Sequence, residues 1–378
     1  MYQSCWFRFG CALLTLLLML PVAHSQAVEQ QVNGDAGATP PIPQTIDSPT
    51  TLLPPAARAL NPNMMSFGMP GRGGMDGGLD AGMPSGLGGG MGGAPGYSAS
   101  WYPARPVNNQ NTNLSLFRED LRFGAPLYKD ETDTVMLTAN VGNTVFSTNA
   151  SFPATGHAFP DMLWNISLGT LYLHHFDNEM TGGMMVSLGS SSDRPFDQSR
   201  DYNFTVGAFL RVPQGERNAW NFTLFYSPLG EIAFPIPGVS YFYNPSDNFQ
   251  MNIGLPFSIM YRPYDDLTFD ISYMILTNLR AQVAYRLTDA WKLYLRFQAT
   301  NTSWFLSDST DDRERLFSYE KDIKAGVRYR ITDNFNIDLG VGYAFDRYFF
   351  IGTKSTDSSN RIDVGNDVFI SLQASFRW

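Results

Sequence analysis

Residues 279–298 read LRAQVAYRLTDAWKLYLRFQ, which spells two strands joined by a short turn. Leu279, Ala281, Val283 and Tyr285 alternate with Arg280, Gln282, Ala284 and Arg286. After the turn at 287–290, Trp291, Leu293, Leu295 and Phe297 alternate with Lys292, Tyr294, Arg296 and Gln298. Successive side chains of a strand point to opposite faces, so each strand carries one apolar face and one polar, cationic face.

The same period of two runs through residues 202–212, 220–227, 267–273 and 335–343. It recurs at Ile323, Ala325, Val327 and Tyr329, which oppose Lys324, Gly326, Arg328 and Arg330. Segments of about ten residues with this alternation, separated by turn residues, are the pattern of a transmembrane β-barrel. A water-soluble sandwich shares the alternation, so further features have to decide.

The turns repeat. Tyr261-Arg-Pro-Tyr-Asp-Asp-Leu, Tyr285-Arg-Leu-Thr-Asp-Ala-Trp and Tyr329-Arg-Ile-Thr-Asp-Asn-Phe share an aromatic, an arginine and an Asp-containing turn, and Tyr243-Asn-Pro-Ser-Asp-Asn-Phe is a looser copy. Tyr261, Tyr285, Trp291 and Tyr329 thereby fall beside short turns on the greasy face. An aromatic girdle at a membrane interface needs that placement, because these rings keep one end apolar and the other wet. Long polar connections, 304–318 and 352–366, alternate with the short turns.

The chain ends on an alternating strand whose last residues are Phe376-Arg377-Trp378. Here it resembles bacterial outer-membrane β-barrel proteins, and residues 243–273 are similar to a porin-like group of them with no assigned function. The resemblance implies the outer membrane of a Gram-negative-type bacterium, with outer-membrane lipid around the barrel. It also implies Phe376 and Trp378 as the assembly signal read by the barrel-insertion machinery.

The expected fold is therefore all-β, an antiparallel transmembrane barrel of about 12 strands, with 14 as the alternative, since single-chain bacterial barrels have even numbers. Upstream of Tyr261 two arrangements remain open. Either the turn at 243–249 lies at the opposite end from its three relatives, which is the expectation, or Gly254-Leu255-Pro256 makes a short hairpin within the wall.

Residues 1–25 read as an export signal: Arg8, an apolar run at 11–20, and Ala23-His24-Ser25 before a cleavage point. Residues 26–110 are expected to be a disordered, low-complexity periplasmic leader rich in Gly, Met and Pro, and 111–378 the barrel. The leader holds a G-x-G-x-x-G match at Gly88, Gly90 and Gly93, but a dinucleotide site needs a strand before it and a helix after it. Both cysteines, Cys5 and Cys11, fall in the signal, so no disulfide is expected beyond it.

A net charge of −9 argues against nucleic acid as a partner. His174-His175 with Asp177 and Glu179 is a candidate metal or acid–base cluster, yet neighbours in a strand point apart, and with His157 these read as ordinary rim histidines. No catalytic residue, metal ligand or cofactor is assigned, and no enzymatic activity is expected.

The polar face is more informative. Arg280, Arg286, Lys292, Arg296, Lys324, Arg328 and Arg330 would line the lumen if the apolar band meets lipid. A ring of cations favours small anionic solutes in a pore. Salt bridges or an inserted loop in a plugged barrel fit the same residues. The expectation is a passive or substrate-specific channel. The alternatives are a structural or surface-interaction barrel with a plugged lumen and, less favoured, a lipid-modifying or hydrolytic enzyme.

Overall fold

The computed structural model describes residues 95–227, 234–274, 278–309, 311–355 and 360–376. The expected export signal, the leader as far as residue 94, and Trp378 lie outside the described residues.

The described residues form one antiparallel sheet of seventeen segments. The first group is β1 (Gly96–Pro106), β2 (Asn113–Lys129), β3 (Asp133–Ser147), β4 (Met162–His175), β5 (Thr181–Ser192) and β6 (Tyr202–Gln214). Then come β7 (Asn218–Tyr226), β8 (Ile236–Ser246), β9 (Phe249–Gly254), β10 (Phe257–Tyr264), β11 (Leu267–Met274) and β12 (Asn278–Arg286). Last are β13 (Trp291–Trp304), β14 (Arg315–Thr332), β15 (Phe335–Gly352), β16 (Asn360–Val364) and β17 (Asp367–Phe376).

Each strand from β1 to β15 pairs with the next, and β17 returns to β1 through Gly96↔Ser375 to Trp101↔Ile370, which closes the ring. Both β16 and β17 lie along β15, at Arg347–Ile351 and Phe335–Ala344 respectively. They are one strand interrupted at Gly365-Asn366, so the barrel has sixteen strands, not 12 or 14.

Three features account for the difference. The strand β1 lies inside the stretch read as leader, so the barrel begins at Gly96 and not at residue 111. Its prolines and small residues mask the alternation, and the ladder with β2 slips between Tyr102 and Arg105, where Pro103 has no N–H to give. Second, β2 has mixed polarity on both faces. Third, Gly254-Leu255-Pro256 does turn the chain within the wall, between a strand of 6 residues and one of 8. Gly254 supplies a φ of +135° there, which side chains other than glycine rarely adopt. The turn at 247–248 therefore lies at the same end as the other Tyr-Asp turns.

The faces follow the alternation. Leu121, Leu168, Leu188, Val239, Leu293, Leu339 and Ile370 point outward and remain at least 41% exposed, while inward-facing Asn140, Thr205 and Asn252 are buried. Apolar outside and polar inside inverts the soluble pattern and matches a barrel whose solvent is lipid. Of the predicted girdle, Tyr285, Trp291 and Tyr329 are exposed on the outer face, and Tyr261 is partly so. Trp291 and Tyr329 are register partners with rings 4.5 Å apart. Tyr261 continues an aromatic row through Phe249 and Phe269.

Candidate functional site

The lumen is the site, and its charged wall is built on β11 to β17. On β14 the inward row reads Glu320, Asp322, Lys324, Gly326, Arg328, with acids toward the long-loop end and bases toward the short-turn end. Arg328 reaches Asp338 on β15 through Nε and Nη2, 3.3 Å each. Tyr294 Oη donates to the same carboxylate at 2.6 Å, and its ring lies across Gly326, where any Cβ would collide with it. Lys324 Nζ donates to Ser371 Oγ at 3.2 Å and sits 5.6 Å from the Tyr294 ring centre. Arg280 is buried, with Nη2 on Gln282 at 2.9 Å and Nε 4.0 Å from Asp270. Arg296 pairs in register with Gln282 and Lys324.

Nearer the short turns, Arg286 donates to Asp266 Oδ1 at 3.0 Å and to the Asp265 carbonyl at 2.8 Å. Lys292 is flanked in register by Arg286 and Arg328, and Arg330 faces Asn336. All seven predicted cations thus belong to one wall, among acids that balance several of them. Phe376, the described part of the terminal signal, is exposed at the short-turn end, and its N–H donates to the Pro95 carbonyl at 2.8 Å.

Toward the mouth a second charge cluster was not anticipated. At Asp346 (φ 51°) β15 bulges, so Asp346 and Arg347 together oppose Glu320 and the inward parity shifts to Arg347, Phe349 and Ile351. Arg347 Nε then reaches Glu320 at 3.0 Å, with Nη1 3.7 Å from Asp367. Asp367 also accepts from Arg105 Nε at 2.8 Å, and Tyr102 Oη donates to Glu320 at 2.8 Å. Tyr102 stacks on Phe369 at 4.7 Å, with the Arg347 guanidinium 4.8 Å from its ring centre. Arg347, Glu320 and Asp367 are almost wholly buried, and any one alone would carry a desolvation penalty of several kcal/mol, so they stand only as a set. The acids Glu320 and Asp322 were legible on the inward period of β14. The bulge that turns Arg347 to meet them was not.

The mouth itself is crossed. In a closed ring of sixteen, β5 and β13 stand on opposite walls, yet their long-loop ends meet. Ser192 and Phe305 form a parallel bridge, with Phe305 N–H donating to the Ser191 carbonyl at 2.9 Å. The following loops are joined by Ser307, whose N–H and hydroxyl both donate to Asp193 at 2.7 Å. Gln198 Nε2 donates to the Ser307 carbonyl at 2.9 Å, and Arg200 Nη2 to the Leu306 and Ser307 carbonyls at 3.1 and 3.2 Å.

Beside this crossing, the connection 148–161 folds inward. Phe152 and Phe159 stack at 5.6 Å, and Phe159 meets Phe146 and Phe349 edge-on at 4.9 and 5.0 Å. They join one apolar cluster with Leu114, Leu116, Trp304 and Ile362. Gln110 exchanges two hydrogen bonds with the Ser151 backbone, Asn360 accepts from Ala154 N–H at 3.0 Å, and His157 Nδ1 lies 2.9 Å from Asp308.

The other histidines part company. His174 Nδ1 is 2.8 Å from Asp133, which also accepts from Tyr172 Oη at 2.6 Å, while His175 Nδ1 is 3.2 Å from Thr181 Oγ1. They occupy opposite faces of β4, as adjacent strand residues must.

A family model described as a domain of unknown function, DUF6268, matches residues 97–361, nearly the whole barrel. The chain belongs to the DUF6268 family. No curated protein matches it. Among solved structures, an outer membrane channel of Pseudomonas putida F1 is similar at 10% identity over 75% of this chain and 96% of that one, with a TM-score of 0.31. The transport unit of the autotransporter AIDA-I from Escherichia coli gives 11% identity, 75% and 89% coverage and a TM-score of 0.31. OccK7 of Pseudomonas aeruginosa gives 12%, 75% and 99%, also at 0.31. Within DUF6268, this member's barrel closure rests on its own strand ladder.

Proposed function

We propose that the protein is an outer-membrane channel for small polar solutes, with a preference for anions, whose mouth is held shut in the state described. The observation that carries this reading is the charged inner wall inside an apolar outer surface. The short turns and the start of β1 are periplasmic in this reading, and the long connections external, as in other outer-membrane barrels. Solutes would be selected by lumen width and by Arg286, Lys292, Arg328 and Arg330 at the periplasmic end, with no bond made or broken. The barrel-insertion machinery would read the C-terminal strand.

The crossed mouth favours a second reading, a barrel that stays plugged and presents its external loops to a partner. Planar-bilayer recording separates the two, using the refolded mature chain beside a Ser307→Ala, Asp193→Ala variant. Rare steps in the parent and frequent steps in the variant support the gated channel. Two folded but silent barrels support the plugged one.

A further inference from the structure

The lumen is chemically lopsided. The wall of β11 to β17 sets acids among its cations, whereas the inward rows of β3 to β8, which mix polar residues such as Asn140, Thr205 and Ser240 with a local apolar patch, carry one arginine and no carboxylate. Leu171, Leu173 and Met185 are buried on that side, with Met136, Phe209 and Phe225 packed against them. Met185 packs on Gly207 and Phe209 on Gly183, where a Cβ would strike them.

Along the short-turn edge of this surface runs a polar rung. The register places His175 opposite Thr181, Thr181 opposite Arg211, Arg211 opposite Asn221, and Asn221 opposite Ser240. Asn221 Nδ2 donates to Asn252 Oδ1 at 3.2 Å, and His175 Nδ1 meets Thr181 Oγ1, so these neighbours are held. Arg211 is different. Its guanidinium lies 4.7 Å from the centre of the Phe242 ring, and among the described residues it has no carboxylate within ion-pair distance and no hydrogen-bond partner.

A partly buried guanidinium beside an apolar surface is costly unless an anion neutralises it. Elsewhere in this lumen the protein provides that anion, as Asp338 does for Arg328 and Glu320 for Arg347. Arg211 lacks one. Its five N–H donors form a planar fork suited to a carboxylate, and the Phe242 ring lies against the guanidinium.

We infer that Arg211 and the partly exposed face of Phe209 beside it form a binding site for an amphipathic organic anion, with its carboxylate on Arg211 and its apolar body against Phe209, which packs on the buried Leu173 and Met185. The site lies within the lumen and is reached from the short-turn end. It is independent of whether the mouth opens, because binding is read without conductance.

The test uses benzoate and its neutral analogue benzamide as probes, with binding to the refolded mature chain read by ligand-observed NMR. Benzoate is expected to bind saturably and benzamide at least ~10-fold more weakly, since a hydrogen bond to a charged group is lost. Arg211→Gln should weaken benzoate at least ~10-fold and leave benzamide unchanged, while Arg211→Lys keeps part of the benzoate affinity. Heat-modifiable mobility shows that each variant is folded, and if Arg211→Gln does not fold, the lysine variant and the benzamide comparison carry the test. Equal affinity for the two probes, equal benzoate affinity in parent and Arg211→Gln, or no saturable binding would overturn the site.

Discussion

Ser307 gives both of its donors, backbone N–H and hydroxyl, to the carboxylate of Asp193, at 2.7 Å each and from the opposite wall of the barrel. No strand ladder requires this contact. It is a clasp between two loops, and it can be removed without touching the wall.

Asp193→Ala should therefore open the mouth and leave the barrel intact. Hydrogen bonds to a charged acceptor contribute about 1.5–3 kcal/mol each, enough to shift a closed–open equilibrium by ~10-fold or more. The check is open probability in a planar bilayer beside an unfolding curve. An unchanged open probability with a normal unfolding midpoint would show that the clasp does not hold the gate.

Charge reversal in the wall should change which ions pass once the mouth is open. Arg296→Glu and Arg328→Glu, each made in the Asp193→Ala background, are expected to move the reversal potential in a salt gradient toward cations. The Arg328 variant should shift it further, because it also leaves Asp338 without its arginine. Identical reversal potentials across the three proteins would remove the wall from selectivity.

The folded-in connection 148–161 is tested through its deepest side chain. Phe152 is completely buried against Phe159, and truncation to alanine removes a large aromatic from a packed cluster. The expected loss is about 3–5 kcal/mol, read by denaturant unfolding followed through tryptophan fluorescence. A loss under about 1 kcal/mol would mean that the connection is a loose cover and not part of the core.

Acid should loosen the turn between β2 and β3 progressively as pH falls below ~4. Asp130 lies between β2 and β3, and its carboxylate accepts from Tyr128 Oη at 2.5 Å and from the N–H groups of Thr132 and Asp133 at 2.9 and 2.6 Å. These bonds, the tyrosine's first, lower its pKa to about 2. A depressed folded value means that its contribution is present above the unfolded pKa, near ~4, and fades as pH falls toward about 2. Carboxyl-carbon NMR should place its midpoint near the lower value, and Asp130→Ala should remove that acid-sensitive step. A midpoint near ~4 would mean that the turn does not hold the ionised form.

Removing residues 376–378 should block assembly. Phe376 is the register partner of Phe335 and is exposed at the short-turn end. The readout is heat-modifiable mobility of membrane fractions, and normal barrel formation by the truncated chain would count against the terminal signal.

Much of the wall was legible before any coordinates. The period of two identified which side chain of each pair meets lipid, placed Arg280, Arg296, Lys324 and Arg328 inside, and put Tyr285, Trp291 and Tyr329 on the outer face near the short turns. Pleating alone dictates those statements, because side-chain direction alternates whatever the strand pairs with. The strand number was less legible, since Pro103 hides β1 and the six residues of β9 are too few to look like a crossing.

The sequence alone determined an antiparallel barrel with an apolar outside, a polar inside and an aromatic edge. Only the tertiary structure decided that sixteen strands close the ring, that Arg347 turns inward to join Glu320 and Asp367, and that β5 meets β13 across the mouth. The reason is distance along the chain. Alternation is local and needs only neighbouring residues, whereas Asp193 and Ser307 are 114 positions apart and meet only because closure sets their strands on facing walls.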